Sequence, residues 1–186
     1  MHFLNYYNHP KNIRFNSFKI ALTEAYNRKH KIIVETGTSR GKQQFLFFSK
    51  INWKDGMSTM IFSDFVKKVG GHMYSCDINK KNIINAKKFV KSNINFITFI
   101  NEDSLNFLSS FNKEIDFLYL DSLDAQLKGA NEHQLKEIKM ALPKLKSSSL
   151  ILLDDNGGKT ELSVNYLKKN NYKIINETYE QVLLSL

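Results

Sequence analysis

The sequence predicts an α/β fold, a Rossmann-like, doubly wound and mostly parallel sheet, on three observations. Short apolar runs alternate with amphipathic stretches of helical spacing. The runs are near-continuously apolar, as in strands covered on both faces. Acidic or amide residues stand at the carboxyl end of every run. In chain order, residues 15–28 place Phe15, Phe18, Ile20, Leu22 and Tyr26 at mixed helical spacing, within a helical N-terminal segment spanning 1–30. Strands follow at 31–35, 72–77, 95–100, 115–120 and 149–153, and helices at 58–69, 80–91, 104–111 and 132–145. A last helix over 160–169 precedes two strand-like runs, 172–177 and 180–186, whose short connection predicts an antiparallel hairpin. Residues 39–54 interrupt the pattern as an aromatic-rich insertion carrying Phe45, Leu46, Phe47, Phe48, Ile51 and Trp53. Such a segment closes over a ligand as a lid or packs on the body of the protein or a neighbour.

Length and composition bound the function. The 186 residues read as one domain, 1–186, large enough to bury roughly 70% of its unfolded surface. A net charge of +9 suggests a polyanion partner, yet Arg stands only at positions 14, 28 and 40, and bidentate reading of bases or phosphates favours Arg over Lys. A generic basic surface is the simpler reading. Cys76 is the only cysteine, which excludes an intrachain disulfide and a thiolate zinc cluster. No apolar stretch approaches the length of a membrane span, and a cytoplasmic location is expected.

In a doubly wound sheet, ligands bind beyond the carboxyl ends of the strands. The first strand ends in Glu35-Thr36-Gly37-Thr38-Ser39-Arg40-Gly41, a carboxylate followed by a turn whose glycines permit close backbone approach. The second ends at Asp77, where an acid can accept from both hydroxyls of a ribose. The third ends in Asn101-Glu102-Asp103-Ser104, the fourth at Asp121, and the fifth in Asp154-Asp155-Asn156. Asp103 alone would also serve as a helix N-cap.

In this order the motifs resemble those of the class I S-adenosylmethionine-dependent methyltransferases, over most of the chain from about residue 31 onward. The resemblance implies a seven-stranded sheet of order 3-2-1-4-5-7-6 with one antiparallel strand. It implies a first motif at Glu35, Gly37 and Thr38, a ribose acid at Asp77, an adenine-contacting pair at Asp103 and Ser104, and a fourth motif beginning at Asp121. The compact glycine run of the family is absent after Gly37. Its place is taken by the insertion and then Asp55-Gly56-Met57-Ser58-Thr59, a helix start, so Gly56, Ser58 and Thr59 are expected to share the methionine cradle with Gly37. The split resembles a small-molecule O-methyltransferase-like subgroup.

Two readings stand for Asp121, Asp154, Asp155 and Asn156. As in catechol-type and macrolide-sugar O-methyltransferases, they hold Mg²⁺ or Ca²⁺, with Asp124 a further candidate, or they cap loops and contact the cofactor. Asp121 and His133 are the candidates for proton transfer, with a surface residue the stronger reading of His133; His72 falls at the wrong end of its strand. Arg40 suits a carboxylate of substrate or cofactor, and Lys159 an anionic acceptor.

The expected function is methyl transfer from S-adenosylmethionine to a small-molecule acceptor, at oxygen before nitrogen. A second copy of the chain is the further partner, where a neighbour completes the pocket; neither nucleic acid nor membrane is expected. The alternatives are an RNA or DNA methyltransferase, which lacks its expected Asn-Pro-Pro-Tyr motif or catalytic Cys here, and a non-catalytic cofactor-binding module. A NAD-dependent dehydrogenase is weaker, since Gly-x-Gly-x-x-Gly is missing.

Overall fold

The computed structural model describes residues 1–45 and 48–186, with backbone alone for 42–50. Leu46 and Phe47 of the insertion lie outside the described residues. Among the described residues, nine strands and six α-helices follow in the order α1 (Phe15–Asn27), β1 (Ile32–Thr36), β2 (Lys42–Phe45), β3 (Phe48–Ile51), α2 (Ser58–Val69), β4 (His72–Cys76), α3 (Lys80–Phe89), β5 (Ile97–Ile100), α4 (Ser104–Ser110), β6 (Ile115–Leu120), α5 (Ala130–Ala141), β7 (Leu145–Asp154), α6 (Glu161–Lys169), β8 (Lys173–Glu177) and β9 (Gln181–Ser185). The main sheet has seven strands in the order β5-β4-β1-β6-β7-β9-β8. With the separate β2–β3 pair set aside, this is the expected 3-2-1-4-5-7-6. β9 runs antiparallel to both its neighbours.

Strand periodicity divides the core into two layers. Ile33, Met73, Phe117, Tyr119 and Leu152 point to the side covered by α1 and α2. Val34, Leu118, Leu120, Ile151 and Leu153 point to the side covered by α4, α5 and α6. Both faces are therefore apolar, the reason that the strands read as continuous hydrophobic runs. The N-terminal 3-10 turn, His2–Tyr7, is fastened to the first layer by Tyr7, whose hydroxyl donates to Asp64 Oδ2 at 2.5 Å. Asn93 donates to the other oxygen of Asp64 at 2.6 Å.

Three boundaries depart from the sequence reading. β7 starts at Leu145 rather than 149 because it crosses a bulge opposite Ile115, closed by the Ser149 hydroxyl donating to the Ile115 carbonyl at 2.6 Å. α5 covers Ala130–Ala141 and gives way at Leu142–Lys144 to a 3-10 turn containing Pro143, which lacks the amide hydrogen a longer helix would need. The insertion forms an antiparallel hairpin, β2 with β3, whose base is closed by the Asn52 amide on the Gly41 carbonyl at 3.0 Å. Ile51 and Trp53, at the hairpin's base, pack against the first core layer. Among the described residues, no helix is long and apolar enough to cross a membrane.

Candidate active site

The carboxyl ends of β1, β4, β6 and β7 open into a cleft of about 640 Å³, within the range typical of small-ligand sites. Gly37, Thr38, Ser39 and Arg40 line it after β1, Asp77 after β4, Asp121 after β6, and Asp154 and Asp155 at the end of β7. A smaller cavity of about 110 Å³ adjoins it and shares Gly37, Asp77 and Ile78, among others; its own walls include Cys76, Asp103, Ser104 and His133.

The turn after β1 is built around Gly37, whose φ of +84° is costly for a residue bearing a Cβ. A Cβ there would lie 2.0 Å from the backbone carbonyl oxygen of Asp121, so β1 and β6 meet at this point without room for any side chain. Asp77 orders the next residues. Its Oδ2 accepts from the Thr38 amide at 3.0 Å and Asn82 Nδ2 at 2.9 Å, and its Oδ1 from the Asn79 amide at 2.7 Å. A carboxylate has about four acceptor positions, so one on Oδ1 remains open to a ligand. Asp55 closes the far rim, accepting from the Arg40 amide at 2.9 Å and from its guanidinium at 3.1 Å.

Glu35 has a different place from the one its motif suggests. It shares the side-chain direction of Ile33, toward the layer under α2, and is fully buried beneath the turn rather than lining the cleft. Its carboxylate accepts from Ser58 at 2.6 Å, Thr59 at 2.8 Å and Ser75 at 2.5 Å. Thr59 in turn accepts from the Ser39 amide at 2.8 Å. Ser58 and Thr59 are thus brought to Glu35 and not to the cleft, and Gly56 lies against Arg14 and Phe18, where a Cβ would meet them at 2.9 and 3.1 Å. This trio supports the turn from below.

Burial pushes the Glu35 carboxyl up to about 7, against the lowering effect of its three hydroxyl donors. Above pH 4.5 the unfolded chain releases this proton while the folded protein keeps it, so stability falls as pH rises through the window to about 7, by about 3 kcal/mol. Glu35→Gln removes that term. Its melting temperature is expected to fall less between about pH 5 and pH 7.5 than that of the wild type; equal falls would contradict the placement.

At the other end of the cleft, carboxylate oxygens of Asp121, Asp154 and Asp155 lie within 4.8 Å of one another. Arg14 reaches this group from the start of α1. Its Nε and Nη2 donate to the two oxygens of Asp154 at 2.7 and 2.8 Å, Nη2 to Asp155 at 3.2 Å, and Nη1 to the Lys54 carbonyl at 3.0 Å. From behind, Lys159 Nζ stands 3.0 Å from Asp155 and 3.4 Å from Asp121, its side chain only 1% exposed. Burial and the neighbouring Asp154 hold the Asp121 carboxyl well above the usual carboxylate range, opposed by Lys159. Asn156 is turned away, its amide donating to the Thr178 carbonyl at 2.8 Å and to Glu177 at 3.2 Å. His133 is not brought to Asp121 either. Its Nε2 lies 3.0 Å from Ser104 Oγ in the smaller cavity.

A family model described as a methyltransferase domain matches residues 53–156 of the chain, more than half of it. The chain belongs to this methyltransferase family. With the sheet order above, it is a class I S-adenosylmethionine-dependent methyltransferase. Solved structures share its fold. The Podospora anserina methyltransferase PaMTH1, bound to S-adenosylhomocysteine, is 12% identical with a TM-score of 0.66, the match covering 98% of this chain and 85% of that one. A precorrin-6y C5,15-methyltransferase from Geobacter metallireducens is 11% identical with a TM-score of 0.64, covering 96% and 92%. An rRNA methylase from Streptococcus thermophilus is 12% identical with a TM-score of 0.59, covering 90% and 95%. No curated protein sequence matches.

The methyltransferase offers groups that fit the cofactor. Asp77 faces both cavities with an acceptor position open, and Asp103, whose Oδ1 caps α4 by accepting from Leu105 and Asn106, has no partner on Oδ2 among the described residues. The acids at the far end do not fit a divalent metal as they stand. Both oxygens of Asp154 are held by Arg14, with Gln181 Nε2 adding a third bond at 2.6 Å, and Lys159 occupies the space between Asp121 and Asp155. Two cations, Arg14 partly buried and Lys159 buried, already offset three carboxylates, and the fourth ligand expected from the sequence, Asn156, faces elsewhere.

Sequence reasoning missed Arg14, Asn52, Lys54, Asn79 and Asn82 on the cleft wall. Arg14 left one signal, its rarity: it is one of three arginines.

Proposed function

We propose that this methyltransferase acts on an oxygen of a small acceptor and does so without a bound divalent metal. One observation carries the reading: a single cleft joins the Gly37, Thr38 and Asp77 wall to the Arg14, Asp121, Asp154 and Asp155 wall. The cofactor, when bound, supplies an electrophilic methyl group on a sulfonium. Asp77 would accept from the ribose, Asp103 and Ser104 would meet the adenine in the smaller cavity, and the Thr38-Ser39-Arg40 turn would hold the methionine end. Asp121, next to Gly37, takes the acceptor's hydroxyl proton at its carboxylate. Arg14 and Lys159 fix that carboxylate and its neighbours, a pre-organised charge arrangement that needs no rearrangement during transfer.

The charge on the cleft wall favours this reading over an RNA acceptor. The protein carries +9 overall, yet the cleft presents six aspartates (Asp55, Asp77, Asp121, Asp124, Asp154 and Asp155) against Arg14, Arg40 and Lys54. Phosphates are repelled from such a wall. Incubation with methyl-labelled S-adenosylmethionine and either a metabolite extract or total RNA, each with excess EDTA, tests both parts. Label is expected in the small-molecule fraction, undiminished by EDTA. Label in RNA alone, or its loss with EDTA, would overturn the proposal.

A further inference from the structure

The smaller cavity holds a side-chain relay that the transfer reaction does not use. His133, on the first turn of α5, presents Nε2 to Ser104 Oγ at 3.0 Å across the cavity wall. The same nitrogen lies 3.7 Å from Glu137 Oε1, one turn further along α5. Glu137 is 1% exposed, and its Oε1 accepts no hydrogen bond, so the ring nitrogen is its nearest compensation. A carboxylate 3.7 Å from one ring nitrogen favours, through its charge, the tautomer that carries the hydrogen there. In that tautomer Nε2 is the donor to Ser104. The Ser104 hydroxyl, accepting from His133, must direct its own hydrogen elsewhere, and the cavity is the open side.

Resting on the cofactor reading above, we propose that His133 is a positioning residue that makes Ser104 a hydrogen-bond donor into the cavity, so that Ser104 and Asp103 together select adenine. Asp103 Oδ2 has no partner among the described residues and accepts only. A base presenting a donor amine beside an acceptor ring nitrogen satisfies this pair, as adenine does. Hypoxanthine reverses both groups, an oxo acceptor beside a ring N–H, and leaves two polar groups unpaired. The selectivity is set by the tautomer of His133, which Glu137 favours from inside the helix face.

Calorimetry with S-adenosylhomocysteine and S-inosylhomocysteine tests this on folded protein, checked by circular dichroism. The wild type is expected to prefer the adenine compound by about 100-fold or more. Ser104→Ala and His133→Ala should each weaken the adenine compound about tenfold and narrow the preference to the same extent, and the double variant should be no worse than either. His133→Gln, whose amide can still donate to Ser104, should retain most of the preference. The proposal is overturned if His133→Ala keeps the wild-type preference, if the two single effects multiply, or if His133→Gln behaves as His133→Ala. A wild type that binds neither compound refutes instead the cofactor reading on which it rests.

Discussion

Arg14→Ala is expected to destabilise the methyltransferase by about 3–5 kcal/mol, the cost of leaving a buried carboxylate without its cation. Asp154 is 1% exposed, and Arg14 makes two hydrogen bonds to it, Nε to Oδ1 at 2.7 Å and Nη2 to Oδ2 at 2.8 Å. With Arg14 gone, Gln181 remains as its neutral partner and Asp155 and Asp121 remain as like charges nearby. For a chain of this length each kcal/mol corresponds to roughly 2–4 °C, so the melting temperature should fall by about 10 °C. The mechanism has its own control: Asp154→Asn in the Arg14→Ala background removes the stranded charge and should recover part of the loss. A single variant within about 1 kcal/mol of the wild type, or a double variant less stable than the single, would contradict the role given to Arg14.

The same pair marks a limit of sequence reading. Arg14 and Asp154 are separated by 140 positions and belong to different elements, so nothing local links them. The succession of strands and helices along the chain and the acids at the strand ends were legible, because each strand is an apolar run terminated by a polar residue and the connections are helical, whereas the spatial order of the sheet came from the family resemblance. The direction of those acids was only partly so. Glu35 is two residues beyond Ile33 and shares its face, and strand periodicity alone points it beneath α2. Reading it as a ligand contact followed the motif and passed over the period. The β2–β3 hairpin escaped notice because the segment 45–48 has none of the Gly, Asn or Asp that mark tight hairpin turns. The metal reading followed the spacing of the acids along the chain. It did not anticipate that two cations from elsewhere, Arg14 and Lys159, would already sit among them.

Asp77→Ala is expected to abolish cofactor binding, with an affinity at least 100-fold below the wild type. The carboxylate does two things at once. It holds the Thr38 and Asn79 amides and the Asn82 side chain, which sets the turn after β1 against the start of α3. Its remaining acceptor position faces the cleft where the ribose would lie. A hydrogen bond to a charged acceptor contributes roughly 1.5–3 kcal/mol, a factor of about 10 to 150, and release of the turn that the carboxylate holds supplies the rest. Asp77→Asn keeps the size and one acceptor oxygen and should fall between the two.

Titration of S-adenosylhomocysteine into the wild-type protein, followed by calorimetry and repeated with Asp77→Ala, reads the central claim directly, that the cleft above β1 and β4 is the cofactor site. The expected result is one-to-one binding by the wild type that Asp77→Ala loses while remaining folded. Absence of binding by the wild type, or equal affinity in the folded Asp77→Ala variant, would contradict it.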